Sequence, residues 1–325
     1  MLKVIDLFSG CGGFAQASKN LGWDVVFSCE IDKYARQSYE ANFEPVTAHD
    51  ILDVNTDDIP DADMLVAGFP CPAFSIAGIS SNNYWGHASG FDHAKGELFF
   101  QVLRILKAKR PRYALLENVK NLFTHNKGKT FEIICEALTS EGYHIKSQIA
   151  TANKYVPQSR PRIYIMCFRE LSDFDNFVFP VNDSEPKKLY SVLQDLTIGE
   201  KAKYTLSNKL WEFLKGHKAK HKAKGNGFGF QLFNSHESIG TLTARYYKDG
   251  SEALIDQIFE NPRKLTPREC ASIMGFSESY KIVCSDTQTY KQFGNSVIVP
   301  LVEEIMAQMS WGLLEEELAD MLAIK

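Results

Sequence analysis

The chain has 325 residues, of which 44% are hydrophobic and 23% charged, with a formal net charge of −4. Such a length supports a large core and two domains, and the composition is that of an ordinary soluble protein. The charge offers no global attraction to a polyanion, so any nucleic-acid partner must be met by local patches. Cysteines at 11, 29, 71, 135, 167, 270 and 284 are odd in number and include no C-x-x-C pair. A disulfide framework and a structural zinc site are therefore disfavoured, and a reducing compartment is indicated. No apolar run reaches 18 residues, and Met1 to Phe8 is too short for a signal peptide. A cytoplasmic protein with no membrane association and no bound metal is expected.

Lys3 to Phe8 reads as a strand, followed at once by Ser9-Gly10-Cys11-Gly12-Gly13 and a helical pattern from Phe14 to Leu21. Strand, glycine-rich turn and helix open a nucleotide-binding βαβ unit, where glycines let the backbone approach a ligand. The third glycine is adjacent rather than three residues on, which argues against NAD and leaves other adenosine ligands open. The second strand, Trp23 to Cys29, ends at Glu30, whose carboxylate can accept hydrogen bonds from ribose hydroxyls. After a helix over 33–42, a third strand is expected to close near Asp50-Ile51, an acid suited to an adenine amino group beside an apolar side chain for the ring. Either acid is equally readable as a helix N-cap.

A fourth, fully apolar strand, Met64 to Ala67, runs into Gly68-Phe69-Pro70-Cys71-Pro72. The two prolines fix their own φ angles and keep Phe69 and Cys71 out of helical conformations. A thiol is thus expected on a stiff turn at a strand end, where open α/β sheets bind ligands. Residues 73–95 are polar and carry Tyr84, Trp85 and Phe91; their length fits a lid, or an insertion without order. An amphipathic helix over 98–107 precedes a buried strand at Tyr113 to Leu116 that ends in Glu117-Asn118-Val119. A helix over 130–140, a strand over 144–152, the segment Pro157-Gln158-Ser159-Arg160-Pro161-Arg162 and an apolar strand over 163–168 complete the alternation. Six or seven strands alternating with helices predict a parallel doubly wound sheet.

Near residue 170 the alternation stops, and 173–262 reads as irregular. It contains the Lys/His run 215–224, with His217 and His221 four apart, a spacing that could bind a metal on a helix. No cysteine or acid stands near them, so zinc is disfavoured. Gly225-Asn226-Gly227-Phe228-Gly229-Phe230 and Arg245-Tyr246-Tyr247-Lys248 add rings and cations, a mixture that favours phosphate contact. Thr266 and Pro267 read as the N-cap and first residue of a helix. Tyr290 to Val297 then forms a polar, glycine-containing turn that feeds an apolar helix from Pro300 to Met309 and can meet the ligand from the far end of the chain.

Together these segments resemble the DNA (cytosine-5)-methyltransferases over nearly the whole chain. Asp6-Leu7-Phe8-Ser9-Gly10-Cys11-Gly12-Gly13 is similar to the family's cofactor loop and Gly68-Phe69-Pro70-Cys71 to its nucleophile motif. Glu117-Asn118-Val119 resembles its acidic motif, Gln158-Ser159-Arg160-Pro161-Arg162 its arginine motif, and 264–275 and 290–299 its last two motifs. Pro72 stands where many relatives have Gln, and Ile31 where some carry Trp. Thr241-Leu242-Thr243-Ala244-Arg245-Tyr246-Tyr247-Lys248-Asp249-Gly250 and Ser285-Asp286-Thr287-Gln288 look most like bacterial enzymes that methylate the inner cytosine of CCWGG or CCNGG.

The resemblance implies an α/β fold: a Rossmann-like S-adenosylmethionine-dependent methyltransferase domain (1–172 plus 263–325) with a smaller, irregular target-recognition domain (173–262). It implies Cys71 as the nucleophile, Glu117 as the acid at cytosine N3, and Arg162, with Arg160 secondary, at O2. S-adenosyl-L-methionine would be held by Phe8, Gly10, Gly12, Gly13, Glu30, Ile31, Asp50, Ile51, Pro70, Leu98, Asn295 and Ser296. Double-stranded DNA would be met by Ser75, Gln158, Lys222, Lys224, Thr241, Arg245, Tyr246 and Lys248. A monomer and a cognate restriction endonuclease in the same cell complete the expectation. A tRNA cytosine-5 methyltransferase and a catalytically inert DNA-binding regulator are the alternatives.

Overall fold

The computed structural model describes residues 1–70, 97–258 and 260–312. Cys71, Pro72, Ser75 and the expected lid over 73–95 lie outside the described residues.

Six strands make the central sheet: β1 (Lys3–Leu7), β2 (Asp24–Cys29), β3 (Met64–Ala67), β4 (Tyr113–Val119), β5 (His144–Ala150) and β6 (Arg162–Phe168), in the order β2-β1-β3-β4-β6-β5. The first four pair in parallel, as their intervening helices require, but β6 runs antiparallel to both β4 and β5. The sheet is therefore mixed, not wholly parallel. A parallel crossover needs a dozen or more residues, usually a helix; the β5–β6 link over 151–161 contains no helix, so the chain folds straight back. The strand expected near Asp50 is only a single parallel bridge between Cys29 and Ala48, which makes the strand before Cys71 the third.

Helices α1 (Gly13–Asn20), α2 (Lys33–Glu40), α3 (Glu97–Lys109) and α4 (Lys129–Ser140) connect the strands. Asp32 caps α2, accepting hydrogen bonds from the Tyr34 and Ala35 backbone N–H groups at 2.9 and 2.8 Å. Strand alternation sends Ile5, Leu7, Leu65 and Leu116 to one face, against Val102 and Ile105 of α3 and Ile134 of α4. Val4, Val66 and Leu115 go to the other, against Phe14 of α1 and the C-terminal helix. The sheet is thus buried on both faces, as a parallel core requires.

Beyond the sheet come α5 (Leu171–Asn176), α6 (Ile198–Tyr204), α7 (Asn208–Ala223) and the short pair β7 (Leu232–Phe233) and β8 (Leu254–Ile255). The region expected to be irregular therefore holds a sixteen-residue helix that carries most of the Lys/His run. Lysine, alanine and leucine are good helix formers, and Ser207 caps the start, its side chain accepting from Leu210 N–H at 3.3 Å. Only Leu210, Trp211 and Leu214 turn inward, to Leu206, Leu254 and Phe230, too few to show as an apolar stripe. Ile239, Leu242, Tyr246 and Ile255 instead join the large core on the sheet.

Finally α8 (Pro267–Ile273), α9 (Asp286–Asn295) and α10 (Val299–Met309) return to the sheet, with Val302, Ile305 and Met306 of α10 in the same core as Phe14. Thr266 and Glu269 form a reciprocal capping box on α8. The fully buried Glu269 also accepts two hydrogen bonds from Arg263, each 2.8 Å, and one from Gln194 N–H at 3.0 Å. Removing one partner of such a pair strands a buried charge, at a cost of roughly 3–5 kcal/mol. Glu269→Ala is expected to lower thermal stability by about that amount, read as Tm by calorimetry, while Glu212→Ala at the exposed Lys215 pair should move it by under about 1 kcal/mol.

Candidate active site

The C-terminal ends of β1, β2, β3 and β4 open into a cleft of about 890 Å³. At one end is the turn after β1. Phe8 holds a left-handed φ of 57°, Gly10 one of 55° and Gly12 one of 92°. A bulky residue in that region costs on the order of 1–3 kcal/mol, a strain typical of functional turns. Gly13 is required for space: a Cβ there would come within 2.7 Å of Ser296 Oγ and of Val297 Cγ2. This close approach seats the turn after α9 on the first turn of the chain.

Glu30 is fixed rather than free. Its Oε2 accepts from Gly10 N–H at 2.8 Å and its Oε1 from Asp32 N–H at 2.7 Å. Asp32, not Glu30, is the helix cap, so one of the two readings of Glu30 falls away. Burial raises its carboxyl pKa above the usual range, against those two N–H groups. Asp50 closes a tight turn on Leu52 N–H at 3.0 Å, and Ile51 is buried beside it while lining the cleft. Ile31 lines the same cleft with two-thirds of its surface (66%) exposed. Pro70, Leu98, Asn295 and Ser296 also face this space; Gly12 does not line it and serves the turn instead.

At the other end stand Glu117 and Arg162. They are brought together because β4 and β6 pair antiparallel, setting Val119 opposite Arg162 and Glu117 opposite Tyr164. Arg162 Nε lies 3.1 Å from Glu117 Oε1, with each side chain only 12% exposed. Burial drives the Glu117 carboxyl pKa up, and the charges of Arg162 and Arg160 offset this only in part. Gly68 passes within van der Waals reach of Glu117: a Cβ there would stand 3.9 Å from Oε2. Asn118 Nδ2 donates to Phe69 O at 2.9 Å, tying the end of β4 to the segment that leads into Cys71. A buried acid with a raised pKa beside a guanidinium, lining a nucleotide-sized cleft, is suited to a heteroaromatic ring that gains negative charge.

Arg160 is 2% exposed and spends its guanidinium on backbone carbonyls. Its Nη1 donates to Leu242 O at 2.7 Å, and its Nη2 to Gly294 O and Ser296 O, both at 2.9 Å. Burial, then the like charge of Arg162, lowers its pKa to about 10. Of the two arginines, Arg162 therefore has the geometry to meet substrate charge, and Arg160 braces the walls.

The sequence pattern of the C-5 cytosine-specific DNA methylases matches residues 2–311. The chain belongs to that family. The enzyme is 46% identical to Type II methyltransferase M1.ScrFI of Lactococcus lactis subsp. cremoris over 94% of this chain and 77% of that one. It is 44% identical to Type II methyltransferase M.NlaX of Neisseria lactamica, covering 96% and 97%. The crystal structure of S. pombe Dnmt2 methyltransferase shares its fold at a TM-score of 0.76 and 22% identity, over 96% of this chain and 99% of that one.

The residues expected to meet DNA divide sharply. Gln158 is fully buried: its Oε1 accepts from Leu242 N–H at 2.8 Å and its Nε2 lies 3.4 Å from Met274 Sδ. Tyr246 is buried too, its hydroxyl donating to Ala253 O at 2.8 Å and accepting from Leu265 N–H at 2.7 Å. Both are corrected to packing roles, since their polar atoms are spent inside the protein. Thr241 is half-buried with its hydroxyl on Ser159 O at 3.0 Å. Lys222, Lys224, Arg245 and Lys248 are exposed, and only Arg245 among them lines the cleft. On α7 the rings of His217 and His221 lie 4.4 Å apart, and His221 Nδ1 pairs with Asn226 Oδ1 at 2.8 Å.

Three contributors were not singled out from sequence. Asn118 carries no local signal beyond its place in Glu117-Asn118-Val119, although its amide bonds the Phe69 carbonyl in the segment that leads into Cys71. Asp6 is fully buried, neither carboxyl oxygen has a hydrogen-bond partner among the described residues, and burial, then Glu30, holds its pKa well above the usual range. An acid between the apolar Val4-Ile5 and Leu7 of β1 was the available signal. Lys291 on α9 lines the cleft, a placement no local pattern announces. Arg160→Lys keeps a cation but cannot span three carbonyls, so we expect a loss of about 3 kcal/mol, measured by thermal unfolding.

Proposed function

We propose that the protein methylates C5 of an extruded cytosine in double-stranded DNA, with Cys71 as nucleophile and S-adenosyl-L-methionine as donor. The observation that carries this reading is the Glu117–Arg162 pair, buried at 3.1 Å beside the Gly68-Phe69-Pro70 segment that leads directly into Cys71. The cleft residues fit the donor. Glu30 is held at the glycine turn for a ribose diol, Ile31 and Ile51 offer apolar surface for a purine, and Asn295 and Ser296 supply polar atoms from the α9 end. When bound, S-adenosyl-L-methionine supplies an electrophilic methyl group on a sulfonium.

Cytosine C5 is weakly nucleophilic while the ring is aromatic. Thiolate addition from Cys71 to C6 breaks the C5–C6 double bond and turns C5 into an enamine-like carbon. The displaced charge collects at N3 and O2. Burial raises the Glu117 pKa and so favours the protonated form that would donate to N3, and the Arg162 guanidinium beside it would meet O2. Arg160 holds the surrounding loops and leaves that contact to Arg162. None of these groups reaches a stacked base, so the cytosine must be extruded, at a cost of roughly a few kcal/mol.

The exposed lysines of α7 and its C-cap, with Arg245 and Lys248, supply sequence-independent affinity for the phosphate backbone. We propose a CCWGG or CCNGG target, from the resemblance of 241–250 and 285–288 to enzymes of that type. We further propose a division into 1–172 plus 263–325 for catalysis and 173–262 for recognition, a cytoplasmic monomer, and a companion restriction endonuclease of the same specificity. No described helix is long and apolar enough to cross a membrane.

With labelled donor, the wild-type protein should label duplex DNA and not tRNA. Cys71→Ala should abolish transfer and any covalent adduct with 5-fluorocytosine DNA, yet retain donor binding by calorimetry; an active Cys71→Ala variant overturns the mechanism. Because burial raises the Glu117 pKa, its protonated form persists to higher pH than an ordinary carboxyl. Single-turnover methyl transfer should therefore fall as pH rises through that raised value. Glu117→Gln should remove this limb and cost about 10²–10⁴ in rate.

A further inference from the structure

One wall of the cleft is contributed by Ala244, Arg245 and Tyr247, from the loop after Leu242, and by Gln288 and Lys291 of α9. These segments are locked together. A Cβ on Gly294 would fall on the Thr243 carbonyl and the Ala244 amide, and Arg160 bridges Leu242 O and Gly294 O from beneath. Thr243 Oγ1 accepts from Arg245 N–H at 3.1 Å and sets the turn that presents the Arg245 side chain.

The wall carries two cations and no matching acid. Lys291 Nζ stands 4.9 Å from the Tyr247 ring centroid, a contact that orients the ammonium without neutralising it. Among the described residues neither Lys291 nor Arg245 forms an ion pair. Glu252, the acid bound to this loop, is occupied by Thr243, whose backbone N–H donates to it at 2.9 Å and whose hydroxyl donates to its other oxygen. The described acids of the same cleft, Glu30, Asp32, Asp50 and Glu117, form no ion pair with either cation, so this wall is left able to receive an anion.

We infer that Lys291, steadied by Tyr247 and acting with Arg245, seats a backbone phosphate beside the extruded cytosine. The inference rests on the methylation reading above. A nucleotide swung out of a duplex brings its flanking phosphates to the mouth of the pocket that receives the base, and each carries the single negative charge the wall lacks. Lys291 is a positioning residue: it holds the strand so that the base reaches Glu117 and Arg162. The other anion that can enter is the amino-acid carboxylate of the methyl donor, and the test separates the two.

Lys291→Gln and Lys291→Arg are compared with wild type in steady-state methylation of duplex DNA across salt, alongside donor Kd measured without DNA. We expect Lys291→Gln to raise KM for DNA about tenfold, to change kcat much less, and to flatten the plot of log KM against log salt by about one unit. Lys291→Arg should restore most of both, and donor Kd should stay within about twofold. An unaltered KM and salt slope in an active Lys291→Gln variant overturns this inference alone. Weakened donor binding with an unchanged DNA salt slope also overturns it and assigns the wall to the carboxylate. A wild-type protein that transfers no methyl group to DNA overturns the functional reading, and the inference falls with it.

Discussion

Arg160 holds the site together. One buried guanidinium binds carbonyls of Leu242, Gly294 and Ser296, so the segment before β6, the recognition region and the turn after α9 meet at one cation. A charge so desolvated is tolerable only because backbone carbonyls surround it, and its lowered pKa records the remaining strain. Two residues along the chain, Arg162 reaches Glu117; three residues from Leu242 lies Arg245, and three from Gly294 lies Lys291. The contact that closes the architecture therefore also sets the registry of the Glu117–Arg162 pair against the cationic wall.

The electrostatic layout follows from what each carboxyl can reach. Glu30 is bonded to N–H groups at the glycine turn, Glu117 to a guanidinium, and Asp6 to nothing among the described residues. The pKa of each of the three is raised by burial, but of the three only Glu117 forms a direct ion pair with a cation, Arg162. Arg162 favours the ionised form of Glu117, and burial opposes it more strongly. An acid that must donate to a ring nitrogen needs both.

The segment over 239–255 is not mechanically separate from the sheet. Ile239, Leu242, Tyr246 and Ile255 pack in the same core as Val66 and Phe14, whereas the base of α7 has its own small cluster around Leu206, Leu214 and Leu254. A contact made by Arg245 is thus made on backbone continuous with the floor of the cleft. The lysines of α7 sit on a more independent element, suited to general attraction rather than to placing one base.

Strands, helices and motif residues were legible in the chain because their causes are local. Four consecutive apolar residues make β3, an adjacent glycine pair makes the turn, and Thr266, Pro267 and Glu269 start α8 by capping alone. Family resemblance was carried by the same short segments. The antiparallel β6 depended on what the 151–161 link could span, and α7 was hidden because a mostly solvated helix has little apolar periodicity to display. Gln158, Tyr246 and Arg160 read as polar side chains for a ligand, yet each is spent on backbone inside the protein, that of Gln158 and Arg160 far off in sequence. Hydrogen-bond partners 80 or more residues away, and the burial that sets the direction of a pKa, arise only when distant segments are packed together; that is why residue types were determined by the sequence and their roles by the tertiary structure.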